Sequence, residues 1–208
     1  VDHDVVEAKN IARQHFCAGD IGLSKAAVLA KRYGTREVQM RAIRLKLESK
    51  SLTALHDSAK YIFIAAVDTK ETRRCIRNIL TYRLGPGCSW AWIDIGNDSR
   101  AGQVLLSTNG WAAKIHGVIS GLASIHGHEA MPQVFNGPED PAPSCGVSTE
   151  PQTLAANNLG AAVAINVLGA LLFEVPLVAG GWLFSTLNSI TPIVFESVTQ
   201  VSLYHNIY

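Results

Sequence analysis

The residues best suited to chemistry crowd the start of the chain. Asp2 and Asp4 stand in Val-Asp-His-Asp, Asn10 and then Arg13 and Gln14 follow, and Lys25 closes Gly-Leu-Ser-Lys. An acid at the carboxyl end of a strand in an open α/β sheet is placed to accept both hydroxyl hydrogens of a ribose. Fixed arginine and lysine side chains relieve the negative charge that develops on phosphate oxygens in phosphoryl or nucleotidyl transfer. A nucleoside triphosphate needs both, so it is the expected ligand of Asp4, Arg13 and Lys25. Each residue alone has a plainer reading, a solvated loop acid or a helix-surface charge. The ordered set is what favours nucleotide chemistry.

Further along, Asp68 follows the apolar run of residues 61–67 and precedes a helical pattern. A carboxylate there can hold Mg2+, which takes one or two carboxylates together with phosphate oxygens. It can equally cap the helix that begins near Lys70. Cys145, in Pro-Ser-Cys-Gly just before a helix, has two readings that stay open. A helix N-terminus lowers a thiol's pKa and suits it to attack an activated acyl group, whereas an exposed, idle cysteine is the plain alternative. His116, His126 and His128 match no familiar zinc spacing. Trp90 and Trp92 share one strand face and are expected in the core.

The elements that must position these groups follow from periodicity and punctuation. Residues 1–4 read as the end of a strand whose beginning precedes the sequence, and residues 5–16 as a loop with one or two helical turns. Residues 19–22 form a turn. Residues 24–33 form a helix closed by Gly34, and residues 37–43 alternate like a strand. The continuous apolar run at 61–67 suggests a parallel strand covered on both faces. A helix over 70–83, strands over 90–95 and 102–107, a long apolar helix over 149–173, and a terminal hairpin from 180–185 and 191–195 complete the pattern. Alternating strands and helices predict a Rossmann-like α/β fold, an open, mostly parallel sheet with flanking helices. Proline and glycine accumulate over 127–151, a long crossover loop of the kind that often carries function.

Composition bounds the rest. The 208 residues, 48% hydrophobic and 17% charged, suffice for one domain with a sizeable core. A formal net charge of +1 gives no basis for broad capture of nucleic acid. The cysteines at 17, 75, 88 and 145 form no C-x-x-C pair, which argues against a thiolate zinc site and a secreted disulfide scaffold. No signal peptide opens the sequence, so a cytoplasmic location is the default. The apolar run at 159–173 is short of the roughly 20 residues that span a bilayer. It is interrupted by Asn166 and closed by Glu174 and Pro176, so a buried core helix is expected and no membrane association.

Val1-Asp2-His3-Asp4-Val5-Val6-Glu7, Asn10-Ile11-Ala12-Arg13-Gln14 and Asp20-Ile21-Gly22-Leu23-Ser24-Lys25 resemble the ThiF/MoeB family, bacterial relatives of the ubiquitin-activating enzymes. Asp68 after its strand, Arg73 and Arg74 in the next helix, Gly102-Gln103-Val104 and Gly181-Trp182-Leu183-Phe184 extend the resemblance over essentially the whole chain. Trp92-Ile93-Asp94-Ile95-Gly96-Asn97 and Pro143-Ser144-Cys145 are similar to a plasmid and mobile-element subgroup. The resemblance implies that Asp4 binds the ATP ribose, that Asn10, Arg13 and Lys25 contact the phosphates, that Gln14 supports Arg13, and that Asp68 binds magnesium. It implies adenylation of the C-terminal carboxylate of a ubiquitin-like or sulfur-carrier protein by a homodimer, with Cys145 then available for a thioester or for sulfur transfer. Two features of the family, a Gly-rich phosphate loop and an N-terminal helix that supplies an arginine to the partner subunit, would precede Val1. The paired zinc cysteines of many relatives have no counterpart here. A catalytically inactive scaffold that docks a partner protein is the alternative, ahead of an NAD-dependent oxidoreductase.

Overall fold

The computed structural model describes residues 1–47, 60–82, 84, 88–97, 100–109, 153–175, 177, 180–187 and 190–193. The chain forms two compact units, Val1–Ala54 and Leu55–Tyr208.

In the first unit, two short extended segments run antiparallel. Val6 N–H donates to Leu23 O (2.8 Å), Gly22 N–H to Val6 O (2.8 Å) and Lys25 N–H to Asp4 O (3.0 Å). Between them lie a single helical turn, α1 (Ala8–Ile11), and a 3-10 turn at Ala18–Asp20. The return bend needs Gly22, whose φ of +84° is a conformation that a side chain strains. Helix α2 (Lys25–Tyr33) starts where Ser24 Oγ accepts from Ala27 N–H, and Gly34 ends it as expected. Lys31 and Arg32 occupy its last turn, where the helix dipole favours cations. The alternating residues 37–43 do not form the predicted strand. Val38 N–H donates to Thr35 Oγ1 (3.0 Å) and Thr35 N–H to Val38 O, a local turn. Alternation makes a strand only where a partner strand supplies the ladder.

The second unit contains a five-stranded sheet in the order β1 (Lys60–Ala65), β2 (Ser89–Asn97), β3 (Ala101–Asn109), β4 (Gly181–Ser185), β5 (Ile190–Ile193). Helix α3 (Lys70–Tyr82) joins β1 to β2, and α4 (Leu154–Leu172) precedes β4. The open α/β sheet with flanking helices and the terminal hairpin stand as expected, but the strand directions do not. Only β1 and β2 pair in parallel among the described strands, and the other three pairings are antiparallel. For β1 to β3 the cause is connection length. Helix α3 supplies the crossover that parallel strands require, whereas only residues 98–100 separate β2 from β3, enough for a hairpin alone.

Strand β2 is buried on both faces. Ala91 and Ile93 pack with Val104 and Leu106 of β3, Phe184 of β4, and Val163, Ala164, Val167 and Leu171 of α4. On the opposite face Trp90 and Trp92 are buried, as expected, with Asp94 beside them. Arg73 of α3 reaches Asp94 there, so helices lie on both sides of the sheet. The apolar run at 61–67 was expected to be covered on both faces, yet β1 is the edge of the described sheet and Ile64 is 53% exposed. Helix α4 is long and apolar enough to cross a membrane by length and composition alone. One of its faces is in the sheet core, as expected, but the helix is not buried all round: Leu154, Ile165 and Leu172 are exposed. It starts at Leu154, where Thr153 Oγ1 accepts from Ala156 N–H. The predicted crossover loop over 127–151, with Cys145 and His126 and His128, the segment bearing His116, and the tail after residue 193 lie outside the described residues.

Candidate functional site

The candidate residues fall into two groups, one in each unit. In the first unit the antiparallel pairing of residues 4–6 with 22–25 sets Asp4 and Lys25 directly across from each other. Lys25 Nζ donates to Asp4 Oδ2 at 2.9 Å, parallel to the backbone bond between the same two residues. This hydrogen bond, foremost, holds the Asp4 carboxyl below its ordinary pKa of 3.8. Lys25 is largely covered and Asp4 half exposed, so the carboxylate opens to solvent while its cation is held. Asp2 Oδ1 accepts from Asp4 N–H (2.9 Å) and His3 Nε2 lies 3.6 Å from Asp4 Oδ1.

The other three predicted residues cluster around α1. Asn10, 1% exposed, has its Oδ1 occupied in accepting from Glu7 N–H (2.8 Å), closing the first turn of that helix. Arg13 follows at the helix end with its side chain buried, its N–H donating to Asn10 O. Gln14 Oε1 is a buried acceptor without a hydrogen-bond partner, suited to take a guanidinium N–H. A further pair, not singled out in the sequence, ties this loop to α2. Arg32 donates to Asp20 Oδ2 (2.6 Å) and to His15 O, and Cys17 N–H donates to the same carboxylate (2.8 Å). The Cys17 N–H first, and Arg32 next, lower the Asp20 carboxyl to about 2. The exposed Cys17 thiol also donates to it (3.2 Å), so Cys17 flanks a loop and does not belong to a core.

In the second unit, Asp68 sits in the bend between β1 and α3. Its two readings separate here. The helix cap is Thr69, whose Oγ1 accepts from Thr72 N–H (3.1 Å) and contacts Thr72 Oγ1 (2.7 Å). Asp68 is exposed, and no hydrogen bond reaches its carboxylate among the described residues. A free carboxylate at a strand end suits a divalent cation that keeps waters and phosphate oxygens as its other ligands.

Next to Asp68 lies an ion pair that sequence reading missed. Arg73 Nε donates to Asp94 Oδ1 (3.2 Å) and Oδ2 (3.0 Å), with both side chains buried. Arg73 Nη2 donates to Val67 O (2.6 Å) and lies 3.4 Å from Ile95 O. Burial pushes the Asp94 carboxyl up to about 6 while Arg73 pulls against it. Gly96 leaves the room this needs, because a Cβ there would stand 2.4 Å from Gln103 Nε2 and 3.1 Å from Arg73 Nη2. The available signal was a lone acid inside the apolar run Trp-Ala-Trp-Ile-Asp-Ile, where a buried charge requires a partner.

These features belong to a recognised class. The ThiF family model matches residues 1–192, and the chain belongs to the ThiF family. The crystal structure of selenomethionine PaaA superposes with a TM-score of 0.54 at 15% identity, over 92% of this chain and 63% of that one. That likeness shows the shared fold. The chain therefore spans less than two thirds of the length of that protein. No curated protein is significantly similar.

Proposed function

We propose that this protein uses ATP and Mg2+ to adenylate the C-terminal carboxylate of a ubiquitin-like or sulfur-carrier protein. The observation that carries the reading is the cross-strand pair of Asp4 and Lys25 within a ThiF-family chain. It sets an ionised acceptor for ribose hydroxyls against a fixed cation for phosphate. Asp4 grips the ribose. Lys25 and Arg13 neutralise charge on the phosphates, with Gln14 orienting Arg13 and Asn10 contributing through its remaining amide donors. Asp68 takes the magnesium, which screens phosphate charge when bound. A carboxylate oxygen of the carrier attacks the α-phosphorus and the α–β bridging P–O bond breaks. Pyrophosphate leaves with the bonding electrons, and an acyl adenylate remains. Charge stabilisation by a fixed arginine in comparable phosphoryl chemistry is worth on the order of a thousandfold or more in rate.

Cys145 is the proposed acceptor of the acyl group as a thioester, with AMP as leaving group, in a cytoplasmic homodimer. Cys145→Ser is expected to leave ATP–pyrophosphate exchange intact and to abolish a reductant-sensitive adduct with the carrier. An adduct that persists in the variant places the nucleophile elsewhere.

A second reading, a non-catalytic scaffold that docks a protein partner, draws on the internal satisfaction of the first group. Lys25 is committed to Asp4, and Asn10 Oδ1 to its own helix. Calorimetric titration with ATP and Mg2+ separates the two. Adenylation requires magnesium-dependent ATP binding that Asp68→Ala weakens at least tenfold, with pyrophosphate exchange once the carrier is added. No ATP binding by the folded protein leaves the scaffold.

A further inference from the structure

The bend that carries Asp68 is pinned on both sides. On one side Val67 O accepts from Arg73 Nη2 at 2.6 Å. On the other, Thr69 Oγ1 is fixed by Thr72 N–H at the start of α3. The guanidinium that holds Val67 does not stand alone. Its Nε is anchored on both oxygens of Asp94, a residue 2% exposed in the middle of the sheet's most buried strand. A charge-assisted bond from one Nε shared between both carboxylate oxygens, together with the Nη2 bond, restricts how the guanidinium can turn. The direction fixed here aims Nη2 at the backbone carbonyl immediately before Asp68.

We propose that Arg73, braced by Asp94, is a positioning residue for Asp68. It holds the Val67 carbonyl and thereby sets the backbone from which the Asp68 carboxylate reaches its metal. This rests on Asp68 as the magnesium ligand, and it extends that reading to a residue that never touches the ion. A pair required only for stability would need no third bond to the ligand's neighbour. A buried ion pair is in itself weak evidence of stabilisation, since well-packed apolar residues often replace one without loss.

The test uses the full chain and reads metal affinity directly, without turnover. Mn2+ binding in the presence of ATP, followed by electron paramagnetic resonance, gives the half-saturating cation concentration. Thermal unfolding is followed in parallel. Arg73→Lys keeps the positive charge but loses the separate nitrogens that bond Asp94 and Val67 O, and Asp94→Asn keeps an acceptor and loses the charged brace. Each is expected to raise half-saturation about tenfold or more, the usual effect of removing an outer partner of a metal ligand. Asp68→Asn, tested beside them, is expected to raise it further. If Arg73→Lys and Asp94→Asn unfold at lower temperature but keep the parental half-saturation while Asp68→Asn shifts it, the pair is structural and the positioning role is overturned. If Asp68→Asn leaves half-saturation unchanged, the magnesium reading itself fails and takes this inference with it, a result distinct from the first. A variant that does not fold is replaced by the other, since both remove the same restraint on Val67.

Discussion

Arg73 and Asp94 place two charges where water cannot reach them, and their pH behaviour follows from that. A carboxyl whose folded pKa of about 6 lies above its ordinary 3.8 binds its proton more tightly in the folded chain. Its contribution to stability is therefore fullest below pH 3.8 and is lost as pH rises through about 6. Replacing Arg73 with Met removes both influences that pull the carboxyl down, so the proton is held to still higher pH. Arg73→Met is expected to cost about 3 kcal/mol at pH 8, where the parent holds a paired carboxylate and the variant must bind a proton or bury an unpaired charge. The deficit should shrink at pH 5, where Asp94 protonates. Urea unfolding at the two pH values checks this, and an equal deficit at both would contradict it. Asp20 has the opposite sign. Its carboxyl, lowered to about 2 by Cys17 N–H and Arg32, supports the fold above pH 3.8 and loses that role as pH falls through about 2.

At the scale of elements, the bend between β1 and α3 divides two duties that one residue could have carried. Thr69 caps the helix, and no hydrogen bond engages the Asp68 carboxylate among the described residues. Thr69→Ala is therefore expected to destabilise the protein by about 1 kcal/mol, the ordinary cost of a lost cap. Asp68→Ala should stay within about 0.5 kcal/mol of the parent, as exposed substitutions do. Chemical denaturation of the two variants compares them, and a larger loss for Asp68→Ala would return the cap to Asp68. Helix α2 was legible to within one residue, because Ser24 and Gly34 mark its ends through bonds made within the helix itself. Residues 37–43 were not, because alternation says which faces a strand would present and is silent on whether a neighbour exists. The same limit hid the strand directions, although the short link at residues 98–100 already allowed only a hairpin between β2 and β3.

For the whole molecule, a near-neutral balance of 18 basic and 17 acidic residues leaves no extended positive surface implied by composition. The proposed phosphate recognition then rests on a few placed cations, and counterion release from a polyanion contributes little. No measurable binding to random duplex DNA is expected in fluorescence anisotropy at about 150 mM salt. Salt-sensitive binding at micromolar protein would show a basic face that composition conceals. Residue types and their order determined the family, the acid-and-cation set at the start of the chain, and the helices whose caps are local. Tertiary structure decided which groups meet. Asp4 faces Lys25 because the chain doubles back at Gly22, and Arg73 finds Asp94, 21 residues on, because α3 lies against the buried face of β2. Helical bonds and caps join residues three or four apart and can be read along the chain, whereas strand pairing and buried ion pairs join residues that only folding brings together.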